Sequence, residues 1–246
     1  MSNIDWNKVK FRASSWGNLL TESKDGKGLG LVCQKELIKI YNQLKYGRKK
    51  DITTKQMDKG TQVQTESIKM YSLVEGKIFK ENDEQLENDF FTGKPDVFLG
   101  KSITEAEQVD DIKNSWELDT FTPKLIESMD KGYEAQLNVY LDLSKAKGGN
   151  IVYTLMSAPF NIIESEKRKL LYSMNVISEE SPEYLRAADE LERLMVFDDI
   201  DIRERVIKHP VQRNDALIEK MKLKVPIFRE WLSAFDKKHM ALYPKL

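Results

Sequence analysis

Cysteine is almost missing from this chain. Cys33 is the one cysteine among 246 residues, which excludes an intramolecular disulfide, a cysteine-rich zinc site and a thiolate-held iron–sulfur cluster. It reads as a small buried hydrophobe. Histidine is scarce too: His209 and His239 lie in the C-terminal part, away from every motif described below, and read as surface or packing residues. No apolar run approaches the length that crosses a bilayer, and the stretch MSNIDWNKVKFRASS lacks the apolar core of a secretion signal. No membrane partner and a cytoplasmic location are therefore expected, the host's cytoplasm if the gene is viral. An excess of one charge is also lacking. The formal net charge of -1 argues against a uniformly basic coat for nucleic acid, although a chain that builds an acidic site can keep its basic residues in a separate groove.

What is present is the balance of a globular protein, with 32% charged and 40% hydrophobic residues. The length permits one large domain or two small ones. A single domain over 1–246 is expected, its core at about 55–158 between an N-terminal helical region (1–54) and a mainly helical C-terminal extension (159–246).

Local patterns give the order of elements. SSWGNLL offers a serine cap, and LVCQKELIKIYNQL is amphipathic. KQMDKGTQVQTESIKMYSLV has a loosely helical spacing that predicts a helix over 55–74. GKIFKEN, LENDFFTGKPDVFLG and EAEQVDDIK carry β-branched and aromatic residues between turn signals and predict a three-strand meander. A helix follows in KLIESMDKGYEAQLNVYLDLSKA, with Gly148 and Gly149 as its stop, and NIVYTLMSAP reads as a buried strand. Further on, 161–195 predicts one or two charged helices, IRERVIKHPVQ a short strand, and DALIEKMKLKVPIFREWLSAF a helix interrupted by Pro226.

The chemistry concentrates in that central block. In a strand, residues i and i+2 share a face, so Asp111 and Lys113 of VDDIKNS point the same way and Asp110 points the other. A carboxylate beside an ammonium suits an ion pair or a metal site equally well. Asp96 of GKPDVF lies near the end of the neighbouring strand, where a hairpin brings it toward Asp111. Hard divalent cations take one or two such carboxylates together with water and phosphate. Glu66 lies in the preceding helix, and Gln136 and Tyr140, four residues apart in the following one, share a helical face. Taken singly, each residue has a bland reading: a same-face ion pair, a solvated helix residue, packing at the core edge.

Taken together they resemble the PD-(D/E)XK nuclease superfamily, whose core runs helix, three-stranded meander, helix, strand. The arrangement is most similar to the phage-type exonucleases related to lambda exonuclease, the YqaJ recombinases and the RecB nuclease domain, over about residues 10–158. The resemblance implies an α/β fold with a mixed sheet flanked by helices, and a catalytic set of Glu66, Asp96, Asp111, Lys113, Gln136 and Tyr140. It implies one or two magnesium or manganese ions held by Glu66, Asp96, Asp111 and the backbone carbonyl of Ile112, with Lys113 orienting the attacking water or offsetting charge on the phosphorane and Gln136 positioning Lys113 or the nucleotide. The implied partners are DNA at duplex ends, further copies of the chain in a ring, and a single-strand annealing protein. For DNA, FRASS offers Arg12, Ser14 and Ser15 before a helix, where unpaired N–H groups suit a phosphate. KYGRKKDITTK adds Lys45, Arg48, Lys49, Lys50 and Lys55 around Tyr46, with a solvated loop as the bland alternative. An endonuclease of the same fold and a DNA-binding or assembly module without turnover remain alternatives, though loss of turnover usually leaves a gap among the acids or the lysine.

Overall fold

The structure is a computed structural model that describes residues 4–26, 28–48, 54–176 and 178–242. Strand β1 (Phe11–Arg12) leads through a 3-10 turn (Ala13–Ser15) into helices α1 (Trp16–Leu19) and α2 (Leu31–Tyr46). The helix expected over 55–74 is two helices, α3 (Lys55–Gln62) and α4 (Gln64–Glu75), parting at Val63, whose dihedrals (φ -101°, ψ 7°) leave the helical region. The break serves two anchors. Lys59 of α3 donates to the carbonyls of Ser115 and Trp116 (3.0 and 2.9 Å), while Ile68 and Tyr71 of α4 bury themselves on a sheet.

The expected meander is also subdivided, into β2 (Lys80–Glu81), β3 (Leu86–Glu87), β4 (Phe91–Gly93), β5 (Val97–Gly100) and β6 (Ala106–Ser115). Its middle run divides at Pro95, which has no N–H to give a ladder, so the chain changes sheets there. β3 and β4 join β1 in a small sheet ordered β1-β4-β3. Then come α5 (Leu118–Phe121), α6 (Lys131–Ser144), β7 (Gly148–Leu155), α7 (Phe160–Ser173), α8 (Pro182–Arg193), β8 (Val206–Gln212) and α9 (Asp215–Leu242). The main sheet is ordered β2-β5-β6-β7-β8, with β6 and β7 parallel and the other pairs antiparallel. This mixed sheet flanked by helices is the architecture the sequence suggests.

β6 is the central strand, so Val109–Ile112 is buried on both faces. Its even-numbered residues face α4: Asp110 accepts from Tyr71 Oη (2.9 Å), Gln108 and Asn150, and Ile112 packs with Ile68, Tyr71, Val97 and Val152. Asp111 and Lys113 therefore face α6.

Two expectations about helix ends are corrected. α6 stops at Ser144, with Lys145 left-handed (φ 67°), and Gly148 and Gly149 open β7 instead. A Cβ on Gly149 would lie 1.7 Å from the Val109 carbonyl oxygen, so glycine permits the close β6–β7 approach. α9 runs unbroken through Pro226. Ile218, Met221, Val225, Phe228 and Leu232 form a buried stripe on both sides of the proline, and that burial offsets a hydrogen-bond loss of about 3 kcal/mol. Phe228 joins Phe11, Trp16 and Phe91 in an aromatic cluster, Phe11–Phe228 at 5.4 Å and Trp16–Phe91 at 5.3 Å. Among the described residues, no helix is long and apolar enough to cross a membrane.

Candidate active site

Antiparallel register pairs Val97 with Asp110, which sets Asp96, one residue before β5, opposite Asp111. Asp96 Oδ2 accepts the Ile112 N–H (2.8 Å), tying the carboxylate to the central strand. Asp111 is 1% exposed. Its Oδ1 accepts from Gln136 Nε2 (3.0 Å), which also donates to Tyr140 Oη (3.0 Å), so the two α6 residues act as a bracket under the strand. Lys113 Nζ lies 2.5 Å from Asp111 Oδ2. That oxygen is buried and accepts no hydrogen bond of good geometry; the Lys113 ammonium is its recorded partner among the described residues.

The electrostatics follow from two carboxylates sharing a desolvated place. Burial, then the neighbouring Asp111 charge, pushes the Asp96 carboxyl up to about 7. Burial pulls the Lys113 ammonium down, but Asp111 and then Asp96 outweigh it, so its pKa stands above the ordinary lysine value. Tyr140 is pushed up by burial and by Asp111, and stays a neutral hydroxyl. Two carboxylates in one desolvated place, one of which resists ionising, fit a divalent cation of the hard type. No group of three or more His, Cys, Asp or Glu residues is placed to hold a metal among the described residues. The carboxylate set is thus a pair, Asp96 and Asp111, and the Ile112 carbonyl belongs to the residue between Asp111 and Lys113.

Glu66 is not brought to this place. It is exposed on α4, and at 100° per residue it lies about 200° around the helix from Gln64. Gln64 takes the inward position, its Nε2 3.4 Å from Asp96 Oδ1. Ser67, on the same face, bonds Asn114 (2.7 Å). Glu66→Ala is therefore expected to change metal affinity by less than about twofold, measured by calorimetry. A loss above tenfold would restore Glu66 to the site.

Sequence reasoning also passed over Tyr133, whose ring lies 4.8 Å from Lys113 Nζ. Its signal was the spacing of Tyr133, Gln136 and Tyr140, one face of α6. His209 is closer than expected: it pairs in register with Ile151, which pairs with Asp111. Its Nε2 is 2.7 Å from the Lys124 carbonyl oxygen and its ring 5.3 Å from that of Tyr153, a packing role. His239 lies against Tyr41 and Tyr46.

Gly93 of β4 supports Tyr140. A Cβ there would meet Tyr140 Cε1 at 2.7 Å and Ala13 Cβ at 3.1 Å, and Tyr140 is too buried to yield. Gly93→Ala should cost about 1–3 kcal/mol, read as a fall in denaturant midpoint at constant slope. An unchanged midpoint would refute the close packing.

The expected nucleic-acid residues are distributed unevenly. Arg12 is exposed, with no carboxylate partner among the described residues, and pairs through its backbone with Thr92, next to Gly93. Ser14 is exposed. Ser15 corrects the expectation of a ready phosphate seat, because its hydroxyl donates to Glu36 (3.0 Å), which also accepts from Asn18 (3.1 Å). A carboxylate already occupies that position, and α1 has only four residues. Lys45 is committed to Asp236 (2.8 Å) and Lys55 to Glu166. Arg48 is exposed, and Lys49 and Lys50 lie outside the described residues.

No protein-family model matches the chain, and no curated protein matches it by sequence. Solved structures do. A phage-related exonuclease from Haemophilus somnus 129PT superposes with a TM-score of 0.71 at 20% identity, over 94% of this chain and 97% of that one. The alkaline exonuclease LHK-Exo from Laribacter hongkongensis superposes with a TM-score of 0.63 at 15% identity, over 96% and 98% of the two chains. The same enzyme in complex with dAMP gives 0.61 at 15% identity, over 94% and 92%. The chain has the fold of these exonucleases.

Proposed function

We propose that this protein is a divalent-metal-dependent deoxyribonuclease, a single-domain exonuclease that hydrolyses phosphodiester bonds from duplex ends in phage-type recombination or replication. The observation that carries the reading is the Lys113 ammonium on Asp111 with Asp96 opposite, braced by Gln136 and Tyr140, in a fold shared with exonucleases. The solved relative that holds dAMP supports a deoxynucleotide substrate.

A magnesium or manganese ion held by Asp96 and Asp111 would polarise the scissile phosphate and lower the pKa of a bound water. Lys113, fixed by Asp111 and over the Tyr133 ring, holds a positive charge where the phosphate gains negative charge. Gln136 keeps Asp111 in its orientation through Oδ1 and leaves Oδ2 turned to Lys113. Tyr140, kept neutral, orients Gln136 and adds no charge.

The lack of a third carboxylate beside Asp96 and Asp111 among the described residues favours one alternative, a DNA-binding module of this fold without turnover. Two carboxylates nevertheless suffice for magnesium, which keeps several waters. The discriminating experiment incubates purified protein with magnesium on linear duplexes bearing 5'-phosphate or 5'-hydroxyl ends, and on the same DNA as a covalently closed circle. Linear DNA should be digested, the circle spared, and chelation should stop digestion. Equal cutting of the circle would promote an endonuclease; full activity after chelation would remove the metal; no turnover with intact DNA binding would leave the module.

Arg12 supplies a finer expectation, because it is exposed with no carboxylate partner among the described residues, and its positive charge is felt at Tyr140. A charge-assisted bond to a terminal phosphate contributes about 1.5–3 kcal/mol. Arg12→Ala should therefore slow digestion of 5'-phosphorylated ends by about tenfold or more, and of hydroxyl ends far less. Equal slowing would reduce Arg12 to a general backbone contact.

A further inference from the structure

Beyond Lys113 lies a cavity of about 590 Å³, walled by Tyr133 and Tyr153, by Lys124 and Glu127 of the turn after α5, and by Asp130 and Lys131 at the start of α6. It continues the candidate active site: the Tyr133 ring is the one under Lys113 Nζ, and Tyr153 pairs in register with Lys113 across β6 and β7. Its size lies within the range of about 300–1,000 Å³ for small-ligand sites.

The charges of this cavity balance. Lys124 pairs with Glu127 at 2.5 Å, and Asp130 offsets Lys131. The Asp130 carboxylate already accepts the Gly132 and Tyr133 N–H groups (2.7 and 3.0 Å), so the free amides at the start of α6 are taken and offer no seat to a phosphate. The turn is held in place, since the Lys124 carbonyl is bonded to His209 and the Lys124 ammonium lies 5.5 Å from the Tyr153 ring centroid. A charge-balanced pocket with one half-exposed aromatic wall and one buried one, opening beside a cation, suits a flat, uncharged group carried on a phosphate.

We propose that this cavity is a nucleobase subsite, in which the base of the nucleotide whose phosphate meets Lys113 stacks on Tyr133 with Tyr153 as the floor. The assignment rests on the nuclease reading, and it makes Tyr133 a substrate-contacting residue. Stacking of a base on an aromatic side chain is tolerant of sequence, so the subsite holds any nucleotide without selecting one. That suits an enzyme that digests DNA of every sequence.

The test compares linear 5'-phosphorylated duplexes whose two terminal nucleotides at each end are native or abasic (tetrahydrofuran). Under single-turnover conditions, Tyr133→Ala should slow the native substrate by about tenfold or more and the abasic one by less than about threefold, and Tyr133→Phe should restore the native rate. Equal slowing of both substrates overturns the subsite and leaves Tyr133 as support for Lys113 alone, because a displaced lysine harms both alike. Failure of wild-type protein to cut either duplex would be failure of the nuclease reading. A second arm then decides the subsite without turnover, by calorimetry of thymidine 5'-monophosphate and of deoxyribose 5-phosphate with calcium present. The nucleotide should bind about tenfold tighter or more, and Tyr133→Ala should erase the difference. Equal affinities for the two would overturn the proposal.

Discussion

Lys113→Ala is expected to lower the single-turnover rate by about 10²–10³-fold while duplex affinity stays within about threefold of wild type. The large loss follows from position: Lys113 is held at Asp111 Oδ2 on the α6 face of the central strand, where in the proposed mechanism it would meet charge that develops in the transition state, and removing one preorganised donor of this kind costs about 10²–10³-fold. The small effect on affinity follows from number, because a duplex is held by many phosphate contacts and one cation adds little to their sum. The substitution also leaves Asp111 without its ammonium, and an uncompensated buried charge costs about 3–5 kcal/mol. A thermal melt with and without magnesium separates the two effects: the variant should melt lower without the ion and recover most of the difference with it. Lys113→Arg should restore the melt more than the rate, since a planar guanidinium does not replace a compact ammonium. A Lys113→Ala protein that cuts at the wild-type rate would remove Lys113 from the chemistry.

Asp96→Asn is expected to abolish metal-dependent turnover and yet to stabilise the metal-free protein near neutral pH. Burial and Asp111 hold the Asp96 carboxyl near 7 in the folded protein, against about 3.9 in an unfolded chain. The folded state therefore holds the proton more tightly. The Asp96 contribution to metal-free stability is greatest below pH 4, falls as pH rises from about 4 to 7, and is level above that window. The fall amounts to roughly 4 kcal/mol at most. An asparagine cannot ionise, so it removes the fall and keeps an oxygen for the Ile112 N–H. Magnesium should raise the melting temperature of the wild type and leave Asp96→Asn unmoved. Chemical denaturation of both proteins at pH 4.5 and 8.0 checks the sign: a metal-free stability advantage of Asp96→Asn over the wild type that is no larger at pH 8.0 than at pH 4.5, or a variant that still binds magnesium, would contradict the shared-site electrostatics.

Asp111 and Lys113 were legible in the sequence because they share one strand, and the two-residue period fixes their face whatever surrounds it. The same rule turned Asp110 away, and Tyr71, Gln108 and Asn150 receive it on the α4 side. Gln136 and Tyr140 were legible for the parallel reason on a helix, and their mutual hydrogen bond spans one turn. Glu66 and Gln64 show the limit. Both lie on one predicted helix, the acid was the obvious ligand, and the rotation that brings Gln64 to Asp96 and leaves Glu66 in solvent is set by how Ile68 and Tyr71 pack on the sheet. The loose periodicity of 55–74, which contains the break at Val63, did not resolve that rotation. Ser15 shows the same limit: its hydroxyl looked free beside Arg12, but Glu36 of α2 reaches it across twenty-one residues.

By itself, then, the sequence determined the coarse succession of helical and strand regions (though not their subdivision), the exclusion of thiolate metal sites, and the pairing of groups within single elements, because local periodicity and composition act over a few residues. Only the tertiary structure decided which carboxylates meet, whether Pro226 breaks its helix, where the chain leaves one sheet for another, and that Tyr133 and Tyr153 enclose a cavity beside Lys113. Those outcomes depend on packing between segments far apart in the chain. There, burying one apolar face rotates an entire element and carries its polar residues with it.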